Sequence, residues 1–190
     1  MKTAKIAAIG AASTLAVVAL LLGLPAAMAA TNNPLNGYPM TGTALAASSS
    51  SQSILPGPTA MTVGQTISFT STNGVFHVVG SPGKTGTASG TLTLTVAGAF
   101  KGGYALSIAS GSLTINGTAY SIASGSAEMG PFQAHLVGQG SLASATPGSF
   151  LFAAGAHASF QGQTYNTLRF DVQTNGIEYG VLLLVTATVS

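Results

Sequence analysis

The chain has 190 residues, of which 46% are hydrophobic and only 4% charged, and it contains 25 glycines and no cysteine. Its formal charge of +2 includes Lys2 and Lys5 at the N-terminus; residues 30–190 carry three basic and three acidic side chains, a net charge of 3 − 3 = 0. Such low charge excludes binding to a nucleic-acid backbone, and the missing cysteine excludes disulfides, thiolate catalysis and cysteine-based metal sites.

The N-terminus has the pattern of a secretory signal peptide. Lys2 and Lys5 form a positive region, Ile6–Leu24 is almost wholly apolar, and Ala27-Met28-Ala29 supplies the small residues that a signal peptidase requires. We predict that residues 1–29 are the signal peptide and that the protein is secreted, either extracellular or associated with a cell surface. The alternative is an uncleaved anchor. No second apolar run is long enough to span a bilayer, so the mature chain is predicted to have no membrane span.

Residues 30–60 have a different composition from the rest of the chain. Four prolines and the run Ser48–Ser53, which is interrupted only by Gln52, fall in this stretch, and hydrophobic periodicity is poor. This pattern predicts an extended Pro/Ser-rich, low-complexity tail or linker. In an alternative interpretation, Met40–Ala47 adds as a strand to another subunit.

Residues 61–190 are predicted to form a single all-β domain. Thr, Val, Ile, Leu and aromatic residues alternate with Ser and Gly, and no stretch has a sustained period of 3.6 residues. The close spacing favours roughly 9–11 strands in an antiparallel β-sandwich or a flattened barrel. Besides the hairpins considered next, strands are predicted at Thr87–Val96, Tyr104–Ala109, Phe132–Val137 and Ser149–Phe160.

Asn-Gly pairs mark three predicted hairpin turns, at Asn73-Gly74, Asn116-Gly117 and Asn175-Gly176. Both residue types accept the positive φ that a two-residue hairpin turn demands. Each turn fixes a register, and each register assigns side chains to a face. The predicted inward groups are Ile67, Phe69, Phe76 and Val78; Leu113, Ile115, Tyr120 and Ile122; and Leu168, Phe170, Val172, Tyr179, Val181, Leu183 and Val185. Leu182 and Leu184 fall on the other face of the last hairpin, which predicts that its distal end is covered on both sides.

The sequence contains no motif of a known catalytic or cofactor site. No serine stands in Gly-x-Ser-x-Gly, and no phosphate-binding glycine loop opens a helix. His77, His135 and His157 are separated by more than four residues, so they form a metal site only if they converge in space. We therefore predict no catalytic residue, no cofactor and no metal.

The acidic residues are assigned structural roles. Asp171 lies two residues from Arg169 on one strand face, and Glu178 lies diagonally across the ladder. A small ion cluster is favoured here over a pair of catalytic carboxylates. An acid-active hydrolase using Glu128 and Gln133 is an alternative for which the spacing gives no support.

Two residues are candidates for an association with glycans, Asn116 by covalent glycosylation and Tyr165 by binding. Asn116-Gly117-Thr118 is an N-glycosylation acceptor at a predicted turn. Tyr165 shares a face with Arg169 and is the aromatic side chain predicted to be an exposed platform for a sugar.

These observations favour a secreted, non-catalytic structural or adhesive β-domain of the cell surface or matrix. Its partner is predicted to be a second copy of itself, joined by strand addition into an oligomer or fibre, or cell-surface glycans or proteins. The first alternative is an extracellular carbohydrate-binding module. The second is an acid-tolerant secreted hydrolase or a metal-binding protein.

Overall fold

A computed structural model describes residues 46–48, 54–55, 60–81, 83–130, 133, 135–143, 147–160 and 163–190. The predicted signal peptide and most of the predicted tail lie outside these residues. In the described part, no helix is long and apolar enough to cross a membrane. The strands are β1 (Ala46–Ser48), β2 (Thr66–Val78), β3 (Thr85–Phe100), β4 (Gly103–Ile115), β5 (Thr118–Met129), β6 (Leu136–Ala143), β7 (Gly148–Phe160), β8 (Gln163–Thr174) and β9 (Ile177–Val189).

Eight of these strands close into an antiparallel barrel. From β2 to β9, each strand pairs with the next one in the chain, and β9 pairs back with β2. The predicted all-β, antiparallel fold is therefore confirmed. Short β1 is an addition to the barrel: its three residues pair with His157–Ser159 of β7, beyond the end of β6. The alternative strand at Met40–Ala47 lies mostly outside the described residues; only Ala46 and Ala47 of that range belong to β1.

Alternation along the strands places the core inside the barrel. On β3, Leu92, Leu94 and Val96 are buried, while the threonines between them face outward. A strand with this period-2 pattern buries one face only, as expected where a sheet separates a core from solvent.

Two of the predicted hairpins have the predicted register. Asn116 and Asn175 have φ values of 50° and 54°, and the glycine after each is also at positive φ. Consequently Ile115 pairs with Thr118, and Thr174 pairs with Ile177. The predicted inward faces of both hairpins are buried or packed against the core, and Leu182 and Leu184 are buried as well, on the opposite face.

The hairpin predicted at Asn73-Gly74 is wrong. Strand β2 continues through this pair, and the pairings with β3 and β9 shift register here, as in a β-bulge. A Cβ atom on Gly74 would lie 2.7 Å from the Leu182 carbonyl oxygen and 2.9 Å from that of Ala88. The glycine is required because two neighbouring strands approach closely, not because the chain turns. Ile67, Phe69, Phe76 and Val78 still face inward as predicted. The bulge shifts the alternation of side chains between the two faces by one residue, which has the same effect on these positions as a two-residue turn.

The strand predicted at Phe132–Val137 is misplaced. Gln133 lies in a turn with φ 55°, and β6 begins at Leu136. Glycines at two inward positions of β6 hide its alternation in the sequence. Cβ atoms on Gly138 and Gly140 would lie 2.4 Å and 2.5 Å from ring atoms of Phe152 and Phe150, respectively. The small residues of β6 therefore make room for large rings on β7.

Candidate binding site at the open end of the barrel

The two ends of the barrel differ. At one end, Ile54 is fully buried and Leu55 is 5% exposed, and both belong to the core. The Ile54 amide donates to the Gln133 carbonyl (3.0 Å), and the Asn166 side-chain amide donates to the Ile54 carbonyl (2.6 Å). Nearby, the Met61 amide donates to the Tyr104 hydroxyl at 3.1 Å. We call this the plugged end.

The opposite end opens into a cavity of about 780 Å³, which we call the cup. Phe76 from β2, Tyr120 from β5 and Tyr179 from β9 bring three aromatic rings to its lining. The Phe76 and Tyr179 rings meet edge to face, with centroids 5.9 Å apart. Val78 and Ile115 add aliphatic surface. The mouth of a small β-barrel is a common place for a ligand, and this volume is typical of small-molecule sites.

The rim of the cup is mostly polar and includes two exposed apolar side chains. Lys84 and Glu178 are its charged side chains among the described lining residues, and Asn116 and Gln173 contribute amides. Hydroxyl groups come from Ser81, Thr85 and Thr118, and the exposed apolar side chains from Val79 and Ile177. The rim therefore offers donors and acceptors for hydrogen bonds with no excess of either charge.

The Tyr120 phenol remains neutral well into the alkaline range. Burial raises the pKa of Tyr120, and the neighbouring Tyr179 raises it further. A neutral phenol both donates and accepts a hydrogen bond. The Tyr120 hydroxyl thus gives the cup an uncharged donor and acceptor near neutral pH.

A smaller cavity of about 300 Å³ adjoins the cup and shares Gln173 and Gly176 with it. Thr174, which is 2% exposed, lies in its lining, and its buried hydroxyl oxygen has no hydrogen-bond partner within the described part of the chain. A buried hydroxyl of this kind costs free energy unless it is paired.

The two glycan candidates lie in different places. Asn116 is exposed at the tip of the β4–β5 turn, on the rim of the cup. Tyr165 lies on β8 outside the cup, and its hydroxyl donates to the Gln163 side chain at 2.6 Å. The structure thus brings Asn116 to the site and leaves Tyr165 away from it.

The predicted ion pair is present on the outer face of β8. Arg169 Nη2 lies 3.1 Å from Asp171 Oδ1, and both side chains are partly exposed. Glu178 is at the rim of the cup instead, opposite Gln173 in the ladder. Among the described residues, no group of three His, Asp or Glu side chains is arranged to hold a metal ion. Glu128 is exposed, whereas Gln133 is buried.

The sequence pattern does not mark the cup as a site. Phe76, Tyr120 and Tyr179 fall on the predicted inward faces, as observed, but a residue on such a face is interpreted as part of the core. The available signal was position: Tyr120 and Tyr179 each lie within four residues of an Asn-Gly turn, and both turns lie at the same end of the barrel. That shared position depends on the strand order.

No protein-family model matches the chain, and no curated protein matches it significantly.

Proposed function

We propose that the protein is a secreted, non-catalytic binding protein that holds a neutral small molecule in the cup. The observation that carries this proposal is the convergence of the Phe76, Tyr120 and Tyr179 rings in a cavity of about 780 Å³ at the open end of a barrel whose other end is plugged. Aromatic surface binds apolar rings, and the polar rim fixes their orientation.

The charges of the site favour a neutral ligand. An ion bound against the aromatic rings of the cup would lose its hydration. In the part of the chain that the structure describes, no opposite charge lies beside these rings to compensate, so binding it would cost much free energy. Lys84 and Glu178 carry opposite charges at the rim, so the mouth has no net charge to select an anion or a cation. The best fit is a molecule with an apolar ring system and hydrogen-bonding groups at one end. An uncharged sugar derivative with an apolar aglycone belongs to this class, which connects the cup with the carbohydrate-binding alternative.

Titration with the neutral fluorophore N-phenyl-1-naphthylamine tests the proposal. We expect saturable, blue-shifted emission with a Kd on the order of 100 μM, from about 0.3 kcal/mol for each of its non-hydrogen atoms. Thr118→Phe, which fills the rim, should weaken binding at least tenfold. Thr62→Phe is the matched control, because Thr62 is exposed near the plugged end. Equal binding by both variants would place the fluorophore outside the cup.

A second candidate function, adhesion to a neutral matrix, is favoured by the outer surface of the barrel. Hydroxyl side chains lie in register across neighbouring strands; one row crosses five strands through Thr186, Thr70, Thr91, Ser112 and Ser121. Two further rows are Thr188, Ser68, Thr93 and Ser110, and Thr66, Thr95, Ser107 and Ser126. We call these three rows the hydroxyl face.

The hydroxyl face contains no charged side chain, and neighbouring hydroxyls bond to each other, as Thr91 and Ser112 do at 3.1 Å. Each hydroxyl keeps further hydrogen-bonding capacity for a partner rich in hydroxyls, such as an uncharged polysaccharide. Co-sedimentation with insoluble cellulose, chitin and starch tests this role. Binding should be independent of salt and should be lost in Thr91→Lys but retained in Thr62→Lys. Binding that falls steeply with salt would contradict it.

A further inference from the structure

A short segment that precedes β2 in the sequence plugs one end of the barrel. Strand β1 contributes three paired residues, and Ile54 and Leu55 fill the plugged end. Two hydrogen bonds hold Ile54, one from its own amide to Gln133 and one from the Asn166 side chain, 112 residues away in sequence. We call Ala46–Ser48 together with Ile54–Leu55 the anchor.

The place that receives the anchor belongs to the barrel itself. Pairing from β2 round to β9 and back closes the barrel without any contribution from the anchor. Strand β6 pairs with β7 only up to Ala154. Beyond that point β1 takes the place of β6 and pairs with His157–Ser159 of β7. The anchor of a second copy has the same sequence, so it could make the same backbone and apolar contacts with this barrel.

The connection between the anchor and the barrel limits how such an exchange could occur. Residues 56–60 separate Leu55 from Met61, whose amide bonds to Tyr104 at the plugged end. The six residue steps from Leu55 to Met61 reach at most about 22 Å. An anchor that leaves its own barrel can therefore enter only a barrel whose plugged end lies directly opposite.

Two exposed apolar side chains lie at this same end. Val63, which is 69% exposed, precedes β2 beside the end of β3, where the Gly64 amide bonds to the Val96 carbonyl. Phe100, which is 49% exposed, is the last residue of β3. Residues 30–190 have no net charge, and near this end exposed Lys101 follows Phe100 while exposed Glu128 lies one residue before the end of β5, so both signs of charge are present and repulsion between two such ends is weak.

We propose that two copies meet plugged end to plugged end and exchange anchors. Each Ile54–Leu55 pair then fills the partner's barrel, and Val63 and Phe100 become buried between the copies. The exchanged dimer repeats the contacts of the monomer, so the cost is mainly that of association and the dimer grows with concentration. Its two cups face away from each other, and each remains open.

An engineered disulfide tests the exchange, because the natural chain has no cysteine. Ala47 and Ala158 are directly paired, and Ala47→Cys/Ala158→Cys should link them on oxidation. The full secreted protein is oxidised at about 10 μM and at about 1 mM, then run on a non-reducing gel. We expect mostly monomers at low concentration and covalent dimers at high concentration. The control pair Thr91→Cys/Ser112→Cys, within the barrel, should stay within one chain at both concentrations.

Sedimentation velocity supplies the second measurement. Phe100→Ser should weaken the dimer at least tenfold, whereas Val79→Ser, an equally exposed apolar position at the cup, should leave it unchanged. Disulfides confined to single chains at 1 mM, or a dimer that responds to Val79→Ser and not to Phe100→Ser, would overturn the proposal. Because the cup is at the other end, loss of the dimer does not affect fluorophore binding, and the two proposals fail independently.

Discussion

A Cβ atom on Gly74 would lie 2.5 Å from Leu183 Cδ2, with backbone carbonyl oxygens of β3 and β9 within 3 Å on either side. This close approach, and not a turn, explains the glycine in a sequence that otherwise has the pattern of a hairpin. Strand β2 is bulged at this point, and it pairs with both β3 and β9 before and after the bulge.

Gly74→Ala should therefore destabilise the protein by about 1–3 kcal/mol, the usual cost of overpacking a tight site. Backbone carbonyl oxygens lie close to the added methyl group on both sides, so movement of one flexible side chain cannot relieve the overlap. Gly98→Ala is the matched control, because nothing lies within 4 Å of the added methyl group and φ is not positive; it should change stability by less than about 0.5 kcal/mol. Urea unfolding followed by circular dichroism measures both, and equal midpoints would refute the close-approach explanation.

We expect the fold to survive strong acid. Acid unfolding arises largely from protonation of carboxylates that are paired in the native state, and the chain has only three Asp and Glu side chains. The ion pair of Asp171 with Arg169 is partly exposed, so its loss should cost less than about 1 kcal/mol. Thermal melts at pH 7 and about pH 2 should have similar midpoints. Cooperative unfolding near pH 4 would show that carboxylates contribute more than this.

Stability should instead decline at alkaline pH. Burial and Tyr179 raise the pKa of Tyr120 in the folded state above the unfolded value of about 10. Above pH 10 the unfolded chain thus loses its phenolic proton first, and the free energy of unfolding falls as pH rises towards the folded-state pKa. Tyr120→Phe should flatten this decline above about pH 10. A decline of the same slope in the variant would show that other groups cause it.

Glycosylation at Asn116 should obstruct the cup, since this residue is exposed on its rim. Expression in a host that glycosylates Asn-x-Thr should yield a protein with added mass that a glycosidase removes. Its affinity for the neutral fluorophore should be lower than that of the enzymatically deglycosylated protein. Asn116→Gly is the control, because glycine accepts the φ of 50° at this turn; it should carry no glycan. A glycosylated protein with undiminished affinity would separate Asn116 from the binding site.

Much of the local structure follows from the sequence by itself. Alternation on β3 and the Asn-Gly turns at 116 and 175 set the inward faces, because side-chain period and turn backbone preferences act between near neighbours. The burial of Leu182 and Leu184 on the second face was predicted for the same reason. Low charge and absent cysteine likewise exclude whole classes of partner and chemistry without reference to a structure.

Contacts between residues distant in sequence decided the rest. Asn73-Gly74 has the composition of a turn, but β3 and β9 on either side hold it in an extended bulge. The glycines of β6 are explained by the rings of Phe150 and Phe152, which lie against them in the folded barrel. The cup exists because barrel closure brings Phe76, Tyr120 and Tyr179 from three strands to one end, while Asn166 holds Ile54 at the other. Such arrangements depend on strand order, which no local preference encodes.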